Sequence, residues 1–147
     1  MSSETNGFFL QPFVSLLIVE QLAKIGQLDQ GLELVHEALA STAHDRYWCD
    51  AELERLRGEL LLARDVDAEQ AEAAYRRAIR IAEKQQAKLF ELRATTSLAR
   101  LWLKQGRVVD ARRVLARAYG WFSEGLDMPD LKNAQALLDV SLSEASP

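Results

Sequence analysis

Three segments of this 147-residue chain align with one another at a shift of 40 residues, and no other feature narrows the choice of fold as much. They are Gln27–Leu39, Asp67–Ile79 and Arg107–Tyr119. Each carries a small residue, a larger apolar residue four positions on, and Ala three positions later. The sets read Gly31, Val35, Ala38; Ala71, Tyr75, Ala78; and Ala111, Leu115, Ala118. Small residues seven apart share one helical face and let a neighbour approach closely, while the large residue between them fills the space alongside. A period of this length, with helical spacing inside it, predicts stacked helix pairs.

A second apolar helix is expected ahead of each segment, over Pro12–Ile25, Tyr47–Ala63 and Leu89–Lys104. Val19, Gly58 and Ala99 stand where these helices need a small or medium residue, and Leu22, Leu61 and Trp102 follow three positions on. The second unit has one extra residue between its helices, so the first helices are offset by 39 and 41. Gly26 and Gly106 suit the left-handed residue that ends a helix. Asp67 with Gln70 predicts a capping box. Residues 76–105 hold neither Gly nor Pro, and the break within them is expected near Gln85–Ala87. Asp127 is expected to cap a last helix, Pro129–Leu142, with an apolar face of Leu131, Ala134, Leu138 and Leu142. Such a helix closes the open end of a solenoid. Composition agrees: Leu and Ala supply 45 residues against 16 for Val, Ile and Thr, a balance that favours helix over strand. The expected fold is therefore all-α, a right-handed helical-repeat solenoid in one domain, 1–147. Its repeats fall at about 8–41, 46–85 and 87–122, and its capping helix at 129–142.

The pattern resembles the tetratricopeptide repeat, with a period of 40 against a consensus of 34 and without the consensus Trp and Pro. The strings AELERLRGELLL (Ala51–Leu62), AEAAYRRAI (Ala71–Ile79), ELRATTSLARLWLKQGR (Glu91–Arg107) and YGWFSEGLDMPDLKNAQALLD (Tyr119–Asp139) resemble one bacterial family in particular. There, such repeats form the C-terminal region of multidomain signalling regulators, behind a nucleotide-cyclase-like or DNA-binding domain and a P-loop ATPase. That family usually places Gly in the turn where Gln86 stands here. The resemblance implies a protein–protein interaction or scaffolding role, and it brings no catalytic parts into this chain.

Chemistry is scarce along the sequence. No G-x-x-x-x-G-K-[ST] and no G-x-G-x-x-G is present, so no nucleotide loop is expected. His36 and His44 have no ligand-type residues around them at metal spacing, and neither metal nor cofactor is expected. Cys49 is the one cysteine; it excludes an internal disulfide, fits a reducing cytoplasm, and reads as a buried, inert thiol. Glu52, Glu54 and Glu59 alternate with Arg55 and Arg57 and read as solvated helix-face charges. Trp102 is expected in the core. Trp121 and Phe122, with Tyr119, are expected to fill the junction onto the last helix, and Trp48 to be partly exposed. Phe8–Val19 is apolar but only 12 residues long and interrupted by Gln11 and Pro12, too short to span a bilayer. Met1–Gly7 holds Glu4 and no Lys or Arg, so no signal peptide is expected. The expectation is a cytoplasmic protein that is not an enzyme.

Charge is unevenly spread. The chain is −4 overall, yet residues 76–117 hold twelve Lys or Arg against three Asp or Glu. If first helices line a concave groove, as the resemblance implies, then Glu20, Lys24, Glu52, Glu59, Arg93, Arg100 and Lys104 face it. Two readings stay open. Glu52 and Glu59 stand one repeat before Arg93 and Arg100, so the charges could compensate one another internally. Alternatively the groove binds an acidic peptide or a small anion. Nucleic acid is not expected, because acidic surface flanks the basic block and stacking aromatics are not interleaved in it. The first helix offers more apolar surface than its neighbours can cover, so a homodimer is expected through Phe9, Phe13, Leu16 and Leu17.

Overall fold

The computed structural model describes residues 11–41, 49–64 and 67–145, and its regular elements are all α-helices, with no strand among the described residues. They are α1 (Gln11–Lys24), α2 (Leu28–Ser41), α3 (Asp50–Ala63), α4 (Ala68–Lys84), α5 (Lys88–Lys104), α6 (Val108–Tyr119) and α7 (Pro129–Ala145). Phe8, Phe9, His44 and Trp48 lie outside the described residues.

Three turns share one construction. The α1–α2, α4–α5 and α5–α6 junctions place Gly26, Gln86 and Gly106 at φ 81°, 57° and 82°. In each, the residue after the left-handed one donates its N–H back five positions: Gln27 to Leu22 O, Ala87 to Ala82 O, and Arg107 to Trp102 O, at 2.8–2.9 Å. The left-handed residue itself donates three positions back, at 3.1–3.3 Å. This Schellman closure satisfies orphan carbonyls and turns the chain back on itself. Gln86 makes the same turn without glycine, at a steric cost of roughly 1–2 kcal/mol. Gln86→Gly is therefore expected to raise stability by about 0.5–1 kcal/mol, part of the gain being offset by a freer unfolded chain. A urea titration with unchanged m-value checks this.

Each helix packs on the next, and α1–α3, α3–α5 and α5–α7 also touch, whereas no pair among α2, α4 and α6 is a principal contact. The first helices of the pairs thus form a continuous layer continued by α7. Small residues set the spacing within pairs. Val35, Ala38, Ala71, Tyr75, Ala78, Ala111 and Leu115 are buried, Gly31 is also buried, and Ala118 is half-buried. Tyr75 of α4 lies over Gly58 of α3, where an added Cβ would meet the ring at 2.5 Å.

Several expectations need correction. Glu52 and Glu54 are 2% and 8% exposed, not solvated; α3 is contacted by α1, α2, α4 and α5 and has little face left for water. Leu16 is buried among Val19, Val35, Leu53 and Leu56, so it belongs to the core and not to an outer face. Trp121 is 61% exposed rather than filling the α6–α7 junction; it sits edge-on to Phe122, with Lys88 Nζ 5.6 Å from its ring centroid. The last helix runs to Ala145 and leaves Leu142 exposed. With Pro129 as its first residue, the capping position falls on Met128 rather than Asp127. At α4, Asp67 Oδ1 accepts the Glu69 amide at 3.0 Å, and Gln70 contributes its own backbone N–H to Asp67 O. Among the described residues no helix is long and apolar enough to cross a membrane.

Candidate functional site

The layer of α1, α3, α5 and α7 encloses one side of an open cavity of about 480 Å³. Six residues expected in a groove line it: Glu20 and Lys24 from α1, Glu52 and Glu59 from α3, and Arg93 and Arg100 from α5. Lys104 lines an adjoining hollow of about 250 Å³, which shares Glu59, Ser97 and Arg100 with the first. The helical offset explains the grouping. Glu52 and Glu59 are seven apart, as are Arg93 and Arg100, so each pair presents two charges to one side of its helix.

Half of this lining is neutralised from within. Glu52 sits at the centre, its side chain 3% exposed. It accepts two hydrogen bonds from Arg55, Nε to Oε2 at 2.9 Å and Nη2 to Oε1 at 3.2 Å. Arg93 Nη1 donates to the same Oε1 at 3.0 Å. The other side of Arg93 is taken by α7: Nε donates to Asp130 Oδ2 at 2.8 Å. For both arginines burial works against the charged form, but the carboxylates outweigh it and hold the guanidinium pKa above its ordinary value. The expected facing of Glu52 and Arg93 is thus a direct ion pair.

Glu59 and Arg100 behave differently. Glu59 Oε1 accepts from Ser97 Oγ at 2.8 Å and lies 3.7 Å from Arg55 Nη1. Burial, with Glu59 beside it, pushes the Tyr75 phenol up, so this hydroxyl stays protonated and also donates to Glu59. Arg100 makes no ion pair with any described residue, nor do Lys24 and Lys104. The charge that the groove presents to a ligand is therefore Lys24, Arg100 and Lys104 against Glu20 and the partly exposed Glu59.

Much of the remaining basic block is committed elsewhere. Arg107 and Arg76 both lie over the Trp102 ring, 4.3 and 5.3 Å from its centroid. Both also reach Glu72, which accepts from Trp102 Nε1 at 3.0 Å. Arg77 pairs with Glu54 at 3.2 Å and Lys88 with Glu91 at 3.3 Å. Sequence reasoning missed Arg55, Ser97 and Asp130 in the groove. Arg55 and Ser97 were within reach of it, since each shares a helical side with a residue already placed there. Asp130 left no local signal, because its partner is 37 residues away.

Nucleophile and metal chemistry find little footing. Cys49 is buried, and burial with the Asp50 carboxylate pushes its thiol up to about 11. Among the described residues, no cluster of three or more His, Cys, Asp or Glu could hold a metal ion. Neither a protein-family model nor a curated protein sequence matches this chain.

Proposed function

We propose that the chain is a helical-repeat interaction module of the tetratricopeptide type, and that its groove takes an acidic segment of a partner protein. The observation that supports this best is the unpaired set Lys24, Arg100 and Lys104 on the layer of first helices, in a lining where Glu52, Arg55, Arg93 and Asp130 already satisfy one another. Cations without partners lose less on meeting a ligand carboxylate than cations that must first give up a salt bridge. The repeat and the contacts between successive first helices support a solenoid course, which we read as right-handed. A place in a bacterial signalling regulator rests on the resemblance of the four sequence strings. No catalytic step is proposed.

The test is a titration of ¹⁵N-labelled protein with hexaglutamate at low salt. Amide shifts are expected to cluster at Ser97, Arg100 and Lys104. Shifts produced by ATP and not by the peptide would replace the peptide reading with a small-anion site. No shift with either would overturn the groove reading.

A second reading concerns α1. Phe13, Val14, Leu17 and Ile18 are each 44–46% exposed and form an apolar stripe along α1, and Ile25, just past its end, is 68% exposed. The counterparts of Val14, Leu17 and Ile18 in α5, at an offset of 80, are covered: Ala94, Ser97 and Leu98 are buried. An end of a helical stack left this apolar favours self-association. A two-fold dimer at micromolar concentration is expected, with Phe13→Asp or Leu17→Asp shifting it toward monomer. Sedimentation equilibrium giving 16.5 kDa for the unmodified chain would defeat the expectation.

A further inference from the structure

The groove holds a second candidate anion position, and the chain already fills it. Arg93 is bound on both sides, but its two partners are not equivalent. Glu52 has two hydrogen bonds from Arg55 and remains neutralised without Arg93. Asp130 has one, from Arg93 Nε, on a side chain 21% exposed. Asp130 also stands in the first turn of α7, where the helix dipole already favours its charge. It can therefore release Arg93 at modest cost, whereas Glu52, with a side chain 3% exposed, cannot move into water. The Arg93 side chain is 36% exposed and borders the same cavity as Arg100, seven residues further along α5.

We propose that Arg93 is a second carboxylate position of the groove, held in this structure by Asp130 as an internal ligand and open to an acidic peptide that displaces it. This rests on the groove reading above and adds a partner position to it. An acidic segment engaging Arg100 would place another carboxylate toward Arg93, and the two carboxylates would compete for one guanidinium. Affinity is then set partly by a residue that the ligand never touches in the resting state. The contact also links α7 to groove occupancy, because the helix loses its polar tie to α5 when the ligand arrives.

The test uses fluorescein-labelled hexaglutamate and the full chain at low salt. Asp130→Asn should bind the peptide roughly three- to tenfold more tightly, the return from one freed charge-assisted hydrogen bond at a partly exposed site. Asp139→Asn makes the same change in net charge on the exposed side of α7 and should bind as the unmodified chain does. Arg93→Gln should weaken the unmodified chain little, since its cation is already taken, yet should cancel the gain of Asp130→Asn. Asp130→Ser serves as a second variant if Asp130→Asn melts early, with thermal melts run alongside. Binding seen only after Asp130 is replaced would mean that the peptide cannot displace Asp130 in the unmodified chain, and would overturn the proposal. Equal affinities for Asp130→Asn and the unmodified chain, with binding lost in Arg100→Glu, would overturn it and leave the groove reading in place. An equal gain in Asp139→Asn would also overturn it. Absence of binding in every variant would overturn both.

Discussion

Gly58→Val is expected to destabilise the protein by about 3 kcal/mol, the upper end of what overpacking costs in a closed core. A Cβ at position 58 would lie 2.5, 2.8 and 2.9 Å from three ring carbons of Tyr75. The ring is held in place, since Tyr75 is 1% exposed and packed with Leu61, Ala71, Leu98 and Ala99. Its hydroxyl is further tied to Glu59. In a chain of this length the loss should lower Tm by on the order of 10 °C. Tyr75→Leu in the same chain should recover part of it, because the two residues share one contact and their effects cannot add. A Gly58→Val variant that melts like the parent would mean α3 and α4 do not approach closely here. The repeat-based account of their packing would then fail.

Glu52→Ala should cost about 2–4 kcal/mol, mostly through what it leaves behind. Arg55 and Arg93 would lose a carboxylate that accepts three hydrogen bonds from them. Removing one partner from a buried ion pair strands the others at a cost of about 3–5 kcal/mol; partial exposure of both guanidinium groups and the remaining contacts to Glu59 and Asp130 moderate it. Replacing the pair together, as Glu52→Leu with Arg93→Met, should recover much of the loss, because burial of matched apolar groups avoids the desolvation penalty. Chemical denaturation of the four chains of this cycle gives the coupling directly. Near-additive effects would mean that the hydrogen bonds at Glu52 contribute little.

The repeat was legible because close helix contacts constrain residue size, and size survives in a sequence as a period. Gly31, Ala71 and Ala111 mark it, with Val19, Gly58 and Ala99 on the partner helices. The turn at Gln86 was legible for a different reason: Gly26 and Gly106 fixed the construction, and the break fell where the period required it despite the missing glycine. The state of the charges was not legible. Glu52 and Glu59 sit two turns apart on α3 and read alike, yet one is shared by Arg55 and Arg93 and the other is satisfied by Ser97, Tyr75 and Arg55. Which carboxylate is buried depends on how many helices surround α3, a tertiary fact with no period of its own. Trp121 shows the same limit in reverse. An aromatic beside a helix end suggests a filled junction, but the loop carries this one to the surface, against Lys88.

The most direct test of the central claim is the affinity of the double variant Arg100→Glu with Lys104→Glu for fluorescein-labelled hexaglutamate. Neither residue makes an ion pair with a described residue, so the variant should keep its fold, with a melting curve close to that of the unmodified chain. The account predicts that binding of the acidic peptide is lost while the melt is retained. Undiminished affinity in a folded variant would contradict it and move the acidic-segment site away from the groove lined by α1, α3, α5 and α7.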